Sequence, residues 1–179
     1  ISHANVKPET LGREFGEEVK ELVEATTKKT DLRIDKDEDR AAYIRKVILA
    51  TAKDIRVILI KLADRLHNMK TIKSAPPETQ RRIAQETMDI YAPIAYKLGI
   101  NKIKAELEDL SFHILQPETY QELKRRMGKK KEERERDVQA FLERLERLLK
   151  EQKVPARIFG RAKHFYSIWK KMQRKNLKF

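Results

Sequence analysis

Apolar residues recur at helical spacing along most of this sequence, and that periodicity is the strongest constraint on its fold. Only five glycines and six prolines are available to form the turns of a β-rich protein. The spacing predicts helices at 8–15, 17–28, 37–53, 55–72, 78–98 and 101–115, and one or two long helices over 117–150. A strand-like run follows at 154–159, and Gly160 is predicted to open a final helix. We therefore expect a fold that is helical almost throughout.

The composition excludes several classes of protein. Charged residues make up 39% and hydrophobic residues 40% of the chain, a balance typical of a globular protein. There is no cysteine, no apolar run near the roughly 18 residues of a transmembrane helix and no signal-peptide pattern. We therefore expect a cytoplasmic protein without a membrane span or disulfides. The net charge of +13 predicts affinity for polyanions, either nucleic acid or a heavily phosphorylated nucleotide.

Three polar side chains fall on one face of the helix predicted at 55–72. At roughly 100° per residue, Asp64, Asn68 and Thr71 lie within about 60° of one another. The opposite, core-facing stripe is predicted to consist of Leu59, Leu62, Leu66 and Met69, and Lys61 is expected to flank the polar face. A carboxylate, an amide and a hydroxyl in this arrangement favour a ligand site. An amphipathic surface helix would give the same periodicity, so both interpretations remain open.

Three sequence blocks, in order, resemble the RelA/SpoT family of (p)ppGpp synthetases and hydrolases. They are KLADRLHNMKT at 61–71, YAPIAYKLGINKIKAELEDLSFHILQPETY at 91–120 and GRAKHFYSIWKKMQRKNL at 160–177. The resemblance implies an all-α HD-domain hydrolase over 1–95 and a connecting helical bundle over 96–155. It further implies that 156–179 is the start of an α/β nucleotidyltransferase-like synthetase domain. On this resemblance, the chain is a truncated N-terminal catalytic region of a longer bifunctional enzyme.

The same resemblance implies a hydrolase site with Mn²⁺ as its metal. In this family the ion is held by a histidine, a His-Asp doublet and a later aspartate, which matches Asp64, while Asn68 and Thr71 match positions that contact the guanosine nucleotide. No His-Asp doublet occurs in the sequence. We expect that a stretch carrying the doublet is missing between Ala4 and Asn5, with His3 as the first metal ligand. The alternative is that His3 is a frayed terminal residue. His67 is expected to have a structural role in the helical core.

The third block resembles the ATP-binding segment of the family's synthetases. Arg161, Lys163, Ser167 and Lys171 match residues that hold the ATP phosphates. Lys163, Ser167 and Lys171 are spaced to line one helical face, beginning at a helix N-terminus with free N–H groups. The acidic residues that would bind Mg²⁺ for synthesis would lie after Phe179, so we expect no synthetase activity from this chain alone.

The resemblance implies a role in the stringent response. The expected reaction removes the 3′-pyrophosphate of guanosine tetra- or pentaphosphate and gives GDP or GTP. The parent enzyme would also transfer pyrophosphate from ATP to GDP or GTP, and would contact the ribosome through C-terminal domains absent from this sequence. Two alternatives remain: a catalytically inactive basic helical module that binds nucleotide or RNA, and a different HD phosphohydrolase, against which the third block argues.

Overall fold

The computed structural model of the chain describes residues 7–27, 49, 54–127 and 131–177. Within these ranges the chain is mostly helical and contains no β-strand, which confirms the all-α prediction for this part. The α-helices are α1 (Pro8–Phe15), α2 (Glu17–Thr27), α3 (Ile55–Thr71), α4 (Pro77–Glu86), α5 (Ala92–Lys97), α6 (Asn101–Leu115), α7 (Pro117–Met127), α8 (Lys131–Glu151) and α9 (Phe165–Arg174). The helix predicted at 37–53 lies outside the described residues, except for Leu49, which is helical.

The chain divides into two compact units, Ile1–Leu107 and Glu108–Phe179. In the first unit α1 packs on α2, and α2 packs on α3. A π-helical turn, Thr87–Tyr91, joins α4 to α5 and contacts α3. In the second unit α9 packs on α7. No helix within the described ranges has both the length and the apolar character needed to cross a membrane.

Helix α3 begins at a side-chain cap and buries one stripe of its surface. The Asp54 carboxylate accepts a hydrogen bond from the Arg56 N–H at 2.8 Å, which satisfies one of the free donors of the first turn. The buried residues of α3 are Val57, Ile58, Leu62 and Met69. Together with Ile90, Tyr91, Ala92 and Ala95 from the π turn and α5, they form the core of the first unit.

The prediction that Leu59 faces the core is wrong. Leu59 is 42% exposed, whereas Ile58 and Leu62 are 0% exposed. At 100° per residue, Leu59 and the buried Val57 lie about 100° from Ile58 on opposite sides, so the buried stripe extends from Ile58 towards Val57 and not towards Leu59. Ile58 and Val57 occupy the buried side instead, so the true stripe is rotated by about one residue from the predicted one.

The single helix predicted over 78–98 is interrupted by the π turn. Pro93 follows this turn; a proline has no N–H to donate, and its ring clashes with the carbonyl four residues earlier, so an α-helical backbone cannot continue through it unchanged. The end of α5 is as the sequence predicts. Gly99 has φ of +74°, its N–H donates to the Tyr96 carbonyl and the Ile100 N–H donates to the Ala95 carbonyl. This pair of hydrogen bonds is a Schellman motif, which favours glycine.

The core of the second unit is aromatic. Phe112 of α6 is buried, and its ring centroid lies 5.9 Å from Tyr120, 5.7 Å from Tyr166 and 5.2 Å from Trp169. Edge-to-face and tilted rings at these separations attract one another beyond the burial of their area. Trp169 is therefore a packing residue, and the cluster joins α9 to α6 and α7.

The segment between α8 and α9 differs from its prediction. Residues 154–164 form neither strand nor helix, and the final helix begins at Phe165, not at Gly160. A strand needs a paired neighbour for its backbone hydrogen bonds. Gly160 serves a different purpose: a Cβ at this position would lie 3.1 Å from Val138 and 3.2 Å from Leu142, so glycine permits a close approach of the segment to α8.

Candidate functional site

The predicted polar face of α3 is present and exposed. Asp64, Asn68 and Thr71 are all exposed on one side of the helix. The Asn68 amide donates to Asp64 Oδ2 at 3.3 Å, and the Thr71 hydroxyl donates to the His67 carbonyl at 3.1 Å. The amide therefore orients the carboxylate, and the hydroxyl oxygen keeps lone pairs that can accept a further hydrogen bond.

Lys61 lies beside the polar face on the helix but its ammonium is engaged elsewhere, whereas His67 does not take the position that the sequence suggests. The Lys61 ammonium donates to the Thr26 carbonyl at 3.0 Å, in the last turn of α2, so it ties two helices together rather than extending the polar face. His67 is exposed and not in the helical core, because it lies about 180° around the helix from Ile58.

Arg65 supports the polar face from behind. Its guanidinium forms an ion pair with Glu86 at 2.7 Å and lies 4.2 Å from the ring centroid of Tyr91. Both charged side chains of this pair are largely buried, at 14% and 18% exposure. A guanidinium that is bonded to a carboxylate and stacked on an aromatic ring is held in one position. The contact fixes α3 against α4 and the π turn.

Asp64 is one candidate metal ligand and does not make a metal site alone. Among the described residues, no group of three or more His, Asp or Glu side chains is arranged to hold an ion. His3, the other predicted ligand, lies outside the described residues. A carboxylate oxygen is a suitable ligand for a hard divalent ion. The described part of the chain therefore supplies one such oxygen and not a complete coordination shell.

The residues predicted to bind ATP are divided between a segment without regular secondary structure and a helix. Arg161 and Lys163 are exposed and precede α9, whereas Lys171 is exposed on α9 itself. The Ser167 hydroxyl lies 3.1 Å from Nδ1 of His164 and is half-buried. Only Ser167 and Lys171 share the predicted helical face, because the helix begins after Lys163.

The first N–H groups of α9 are not free, contrary to the prediction. The Asp109 carboxylate of α6 accepts hydrogen bonds from the Tyr166 N–H at 2.8 Å and from the Phe165 N–H at 3.2 Å. The neighbouring Glu108 lies 2.6 Å from Nε2 of His164, the residue immediately before the helix. An internal carboxylate thus occupies the place at which an anion binds a helix N-terminus.

Burial has the largest effect on the pKa of Asp109. It raises the pKa of this carboxyl above the ordinary value of 3.8, although the N–H groups of Tyr166 and Phe165 and the charge of His164 act to lower it. Removing a carboxylate from water disfavours its charged form, and here that penalty exceeds the gain from hydrogen bonding. Ionised Asp109 is therefore retained at some expense in folding free energy.

This pKa shift predicts that the chain and its Asp109→Asn variant differ in folding stability by an amount that depends on pH. A raised pKa contributes stability that is fully present below 3.8 and is lost as the pH rises through the folded-state value. The amide of Asn has no such transition. Urea denaturation at a series of pH values should show that the stability of the wild type relative to the variant falls as the pH rises towards neutrality. A relative stability that rises with pH would mean that the hydrogen bonds outweigh burial.

Sequence reasoning missed Glu108, Asp109 and Arg134. The last donates from Nη1 to the Lys163 carbonyl at 2.9 Å, and its guanidinium lies 4.9 Å from the ring centroid of Phe165. Adjacent carboxylates on a helix are common on solvated surfaces, and an arginine in a charged run is equally ordinary. The burial of Glu108, at 8% exposure, depends on the packing of α9 and has no signal in the sequence.

Comparison with known proteins identifies relatives over nearly the whole chain. The chain is 47% identical over 166 residues to the bifunctional (p)ppGpp synthase/hydrolase SpoT of Escherichia coli K12, covering 92% of this chain and 24% of that protein. It is 43% identical over 180 residues to a guanosine-3′,5′-bis(diphosphate) 3′-pyrophosphohydrolase of Vibrio cholerae, covering 100% and 26%. It is 44% identical over 175 residues to a GTP pyrophosphokinase of Myxococcus xanthus, covering 96% and 23%.

These relatives confirm the resemblance to RelA/SpoT enzymes that the three sequence blocks indicate, and they do not favour the alternative of an inactive binding module. The chain spans about a quarter of the length of the curated relatives that it matches. A family model described as an HD domain matches residues 1–101, which include α3 and its exposed polar face. The chain therefore belongs to the HD-domain family.

Proposed function

We propose that this chain is the hydrolase-bearing part of an enzyme that removes the 3′-pyrophosphate of (p)ppGpp and gives GDP or GTP and pyrophosphate. The polar face of α3 is the observation that carries this proposal. It presents an oriented carboxylate, an amide and a hydroxyl on one side of a helix whose other side is anchored in the core. The names of the relatives, which include a 3′-pyrophosphohydrolase, support the choice of substrate.

We assign roles to the three residues from their match to the RelA/SpoT motif, and their chemistry is compatible with those roles. Asp64 is proposed as a ligand of the divalent metal ion that the HD domain implies, with Mn²⁺ as the expected ion. Asn68 and Thr71 are proposed to bind the guanosine nucleotide, because an amide and a hydroxyl can donate to and accept from its polar atoms. His3 is proposed as a second metal ligand. Among the described residues, Asp64 is the one proposed ligand, and the described part of the chain contains no group of three or more His, Asp or Glu side chains that could hold an ion.

The test is pyrophosphate release from ppGpp by the purified protein, including the stretch with the His-Asp doublet that we expect between Ala4 and Asn5, measured with and without added Mn²⁺. We expect release that requires the metal ion, and a chelator should abolish it. The same assay with Mg²⁺ or Zn²⁺ replacing Mn²⁺ tests the identity of the ion. No release under any of these conditions would contradict the proposal that this chain carries a working hydrolase.

We further propose that residues 156–179 begin a synthetase domain of the α/β nucleotidyltransferase type, after connecting helices at 96–155 and the hydrolase portion at 1–95. The block GRAKHFYSIWKKMQRKNL at 160–177, which resembles the ATP-binding segment of the family's synthetases, supports this proposal. Arg161, Lys163, Ser167 and Lys171 are proposed to hold the phosphates of ATP, with Mg²⁺ required for pyrophosphate transfer to GDP or GTP. The whole protein is proposed to be cytoplasmic and to contact the ribosome through further domains.

A further inference from the structure

Two elements of the second unit hold the start of α9. Asp109 of α6 accepts hydrogen bonds from the Tyr166 and Phe165 N–H groups, at 2.8 and 3.2 Å. Arg134 of α8 donates to the Lys163 carbonyl at 2.9 Å. We refer to Asp109 and Arg134 together as the α9 clamp. The clamp fixes the backbone on both sides of His164, where the irregular segment 154–164 ends and α9 begins.

The clamp decides which groups near α9 are able to bind phosphate. Two of the N–H groups that a helix N-terminus offers to an anion already donate to Asp109. The side chains of Arg161, Lys163 and Lys171 are exposed and carry positive charge. Phosphate groups would therefore be held mainly by side chains, and the N–H groups of Phe165 and Tyr166 would not contribute. The directions from which Lys163 and Lys171 extend depend on where the helix begins.

We propose that Asp109 and Arg134 are positioning residues for ATP binding: they fix the junction at His164, and thereby the relative placement of Lys163 and Lys171. This inference rests on the proposed role of the segment in binding the phosphates of ATP. The clamp does not touch the nucleotide. It acts by holding the backbone near Lys163 and the start of α9, and the side chains of Lys163 and Lys171 are the groups that contact the nucleotide.

The chemistry of Asp109 favours positioning over simple packing. A carboxylate has two oxygens, and each accepts from a different N–H of α9. An asparagine of nearly the same volume would place an NH₂ donor opposite one of those N–H groups. Burial also raises the pKa of Asp109, so its charge is a cost to the fold that an apolar packing residue would avoid. We infer that this cost is offset by the geometry that the carboxylate of Asp109 imposes on the junction at His164.

The experiment measures the dissociation constant of Mg-ATP by isothermal titration calorimetry, using the full chain at neutral pH. We expect Asp109→Asn to weaken ATP binding by about tenfold, since hydrogen bonds to a charged group are lost at the junction. Asp109→Glu, which keeps the carboxylate, should retain most of the affinity. Removing a negative charge would by itself strengthen the binding of an anion, so a loss in Asp109→Asn cannot be a charge effect.

Matched variants separate positioning from other effects. Asp54→Asn makes the same substitution at the cap of α3 and should leave ATP binding unchanged. Arg134→Gln should weaken binding more than Arg136→Gln, which removes the same charge from an exposed position on the same helix. Thermal unfolding of each variant shows whether it is folded. If Asp109→Asn does not fold, the pair Arg134→Gln and Arg136→Gln carries the test.

Each outcome has a distinct meaning. If the wild type binds ATP and Lys171→Ala weakens binding while Asp109→Asn does not, the positioning role is wrong and the ATP-binding role stands. If Asp109→Asn and Asp109→Glu weaken binding equally, or Arg134→Gln behaves like Arg136→Gln, the residues act only through packing or charge, and the inference is again wrong. If the wild type does not bind ATP, the ATP-binding role fails, and the inference fails with it.

Discussion

Asp64→Asn is expected to reduce pyrophosphate release from ppGpp by at least about 100-fold, because a charged metal ligand contributes several kcal/mol to stabilising a transition state. The amide has nearly the same size and remains able to bond with Asn68. The side chain is exposed, so the temperature of thermal unfolding should not change. The measurement is the initial rate of pyrophosphate release in the presence of saturating Mn²⁺, together with a thermal melt.

Asp89→Asn provides the matched control for this substitution. Asp89 also pairs with an amide one helical turn away, since Gln85 donates to Asp89 Oδ2 at 2.8 Å. It lies outside the polar face of α3, and we expect its substitution to leave the rate of hydrolysis unchanged. Full activity in Asp64→Asn would show that Asp64 is not a metal ligand. Equal losses in the two variants would indicate a general effect of removing negative charge.

Leu62→Ala is expected to lower the free energy of unfolding by about 3 kcal/mol, because truncating a buried leucine loses its transfer free energy and leaves a cavity. Leu62 is 0% exposed, lies near the middle of α3 and belongs to the buried stripe that forms the core of the first unit. Urea denaturation monitored by circular dichroism measures the change. A loss of this size exceeds that of most single substitutions.

Leu59→Ala, on the same helix, tests whether the stripe is placed correctly. Leu59 is 42% exposed, so its truncation should cost less than about 1 kcal/mol. Helix propensity favours alanine at both positions and does not distinguish the two variants. Equal destabilisation by Leu59→Ala and Leu62→Ala would mean that the buried stripe of α3 is centred between them.

Much of the fold follows from local rules that a sequence displays. The start of α3 after Asp54, the end of α5 at Gly99 and the bounds of α6 each depend on neighbouring residues along the chain. The grouping of Asp64, Asn68 and Thr71 on one face follows from helical geometry once the helix is identified. These features were predictable because no distant residue is needed to produce them.

The features that the sequence does not reveal depend on contacts between distant residues. Asp109 reaches the start of α9 from 56 and 57 positions away. Nothing in the local pattern distinguishes it from a solvated carboxylate. The exposure of Leu59 has a similar origin, because the orientation of a helix about its own axis is set by the elements packed against it. Leu59 and Ile58 are both strongly apolar, so the packing of neighbouring elements determines which of the two is buried.

The π turn at Thr87–Tyr91 has a consequence for how this region tolerates change. A π-helical turn closes its hydrogen bonds over five residues instead of four, so it places one more residue between α4 and α5 than an α-helical turn would. Deleting one residue within the turn would rotate α5 by about 100° relative to α4. Ala92 and Ala95, now buried, would then turn away from the core. This region is therefore expected to tolerate substitutions better than insertions or deletions. A sequence that aligns across this turn without gaps is expected to have the same rotation of α5 relative to α4.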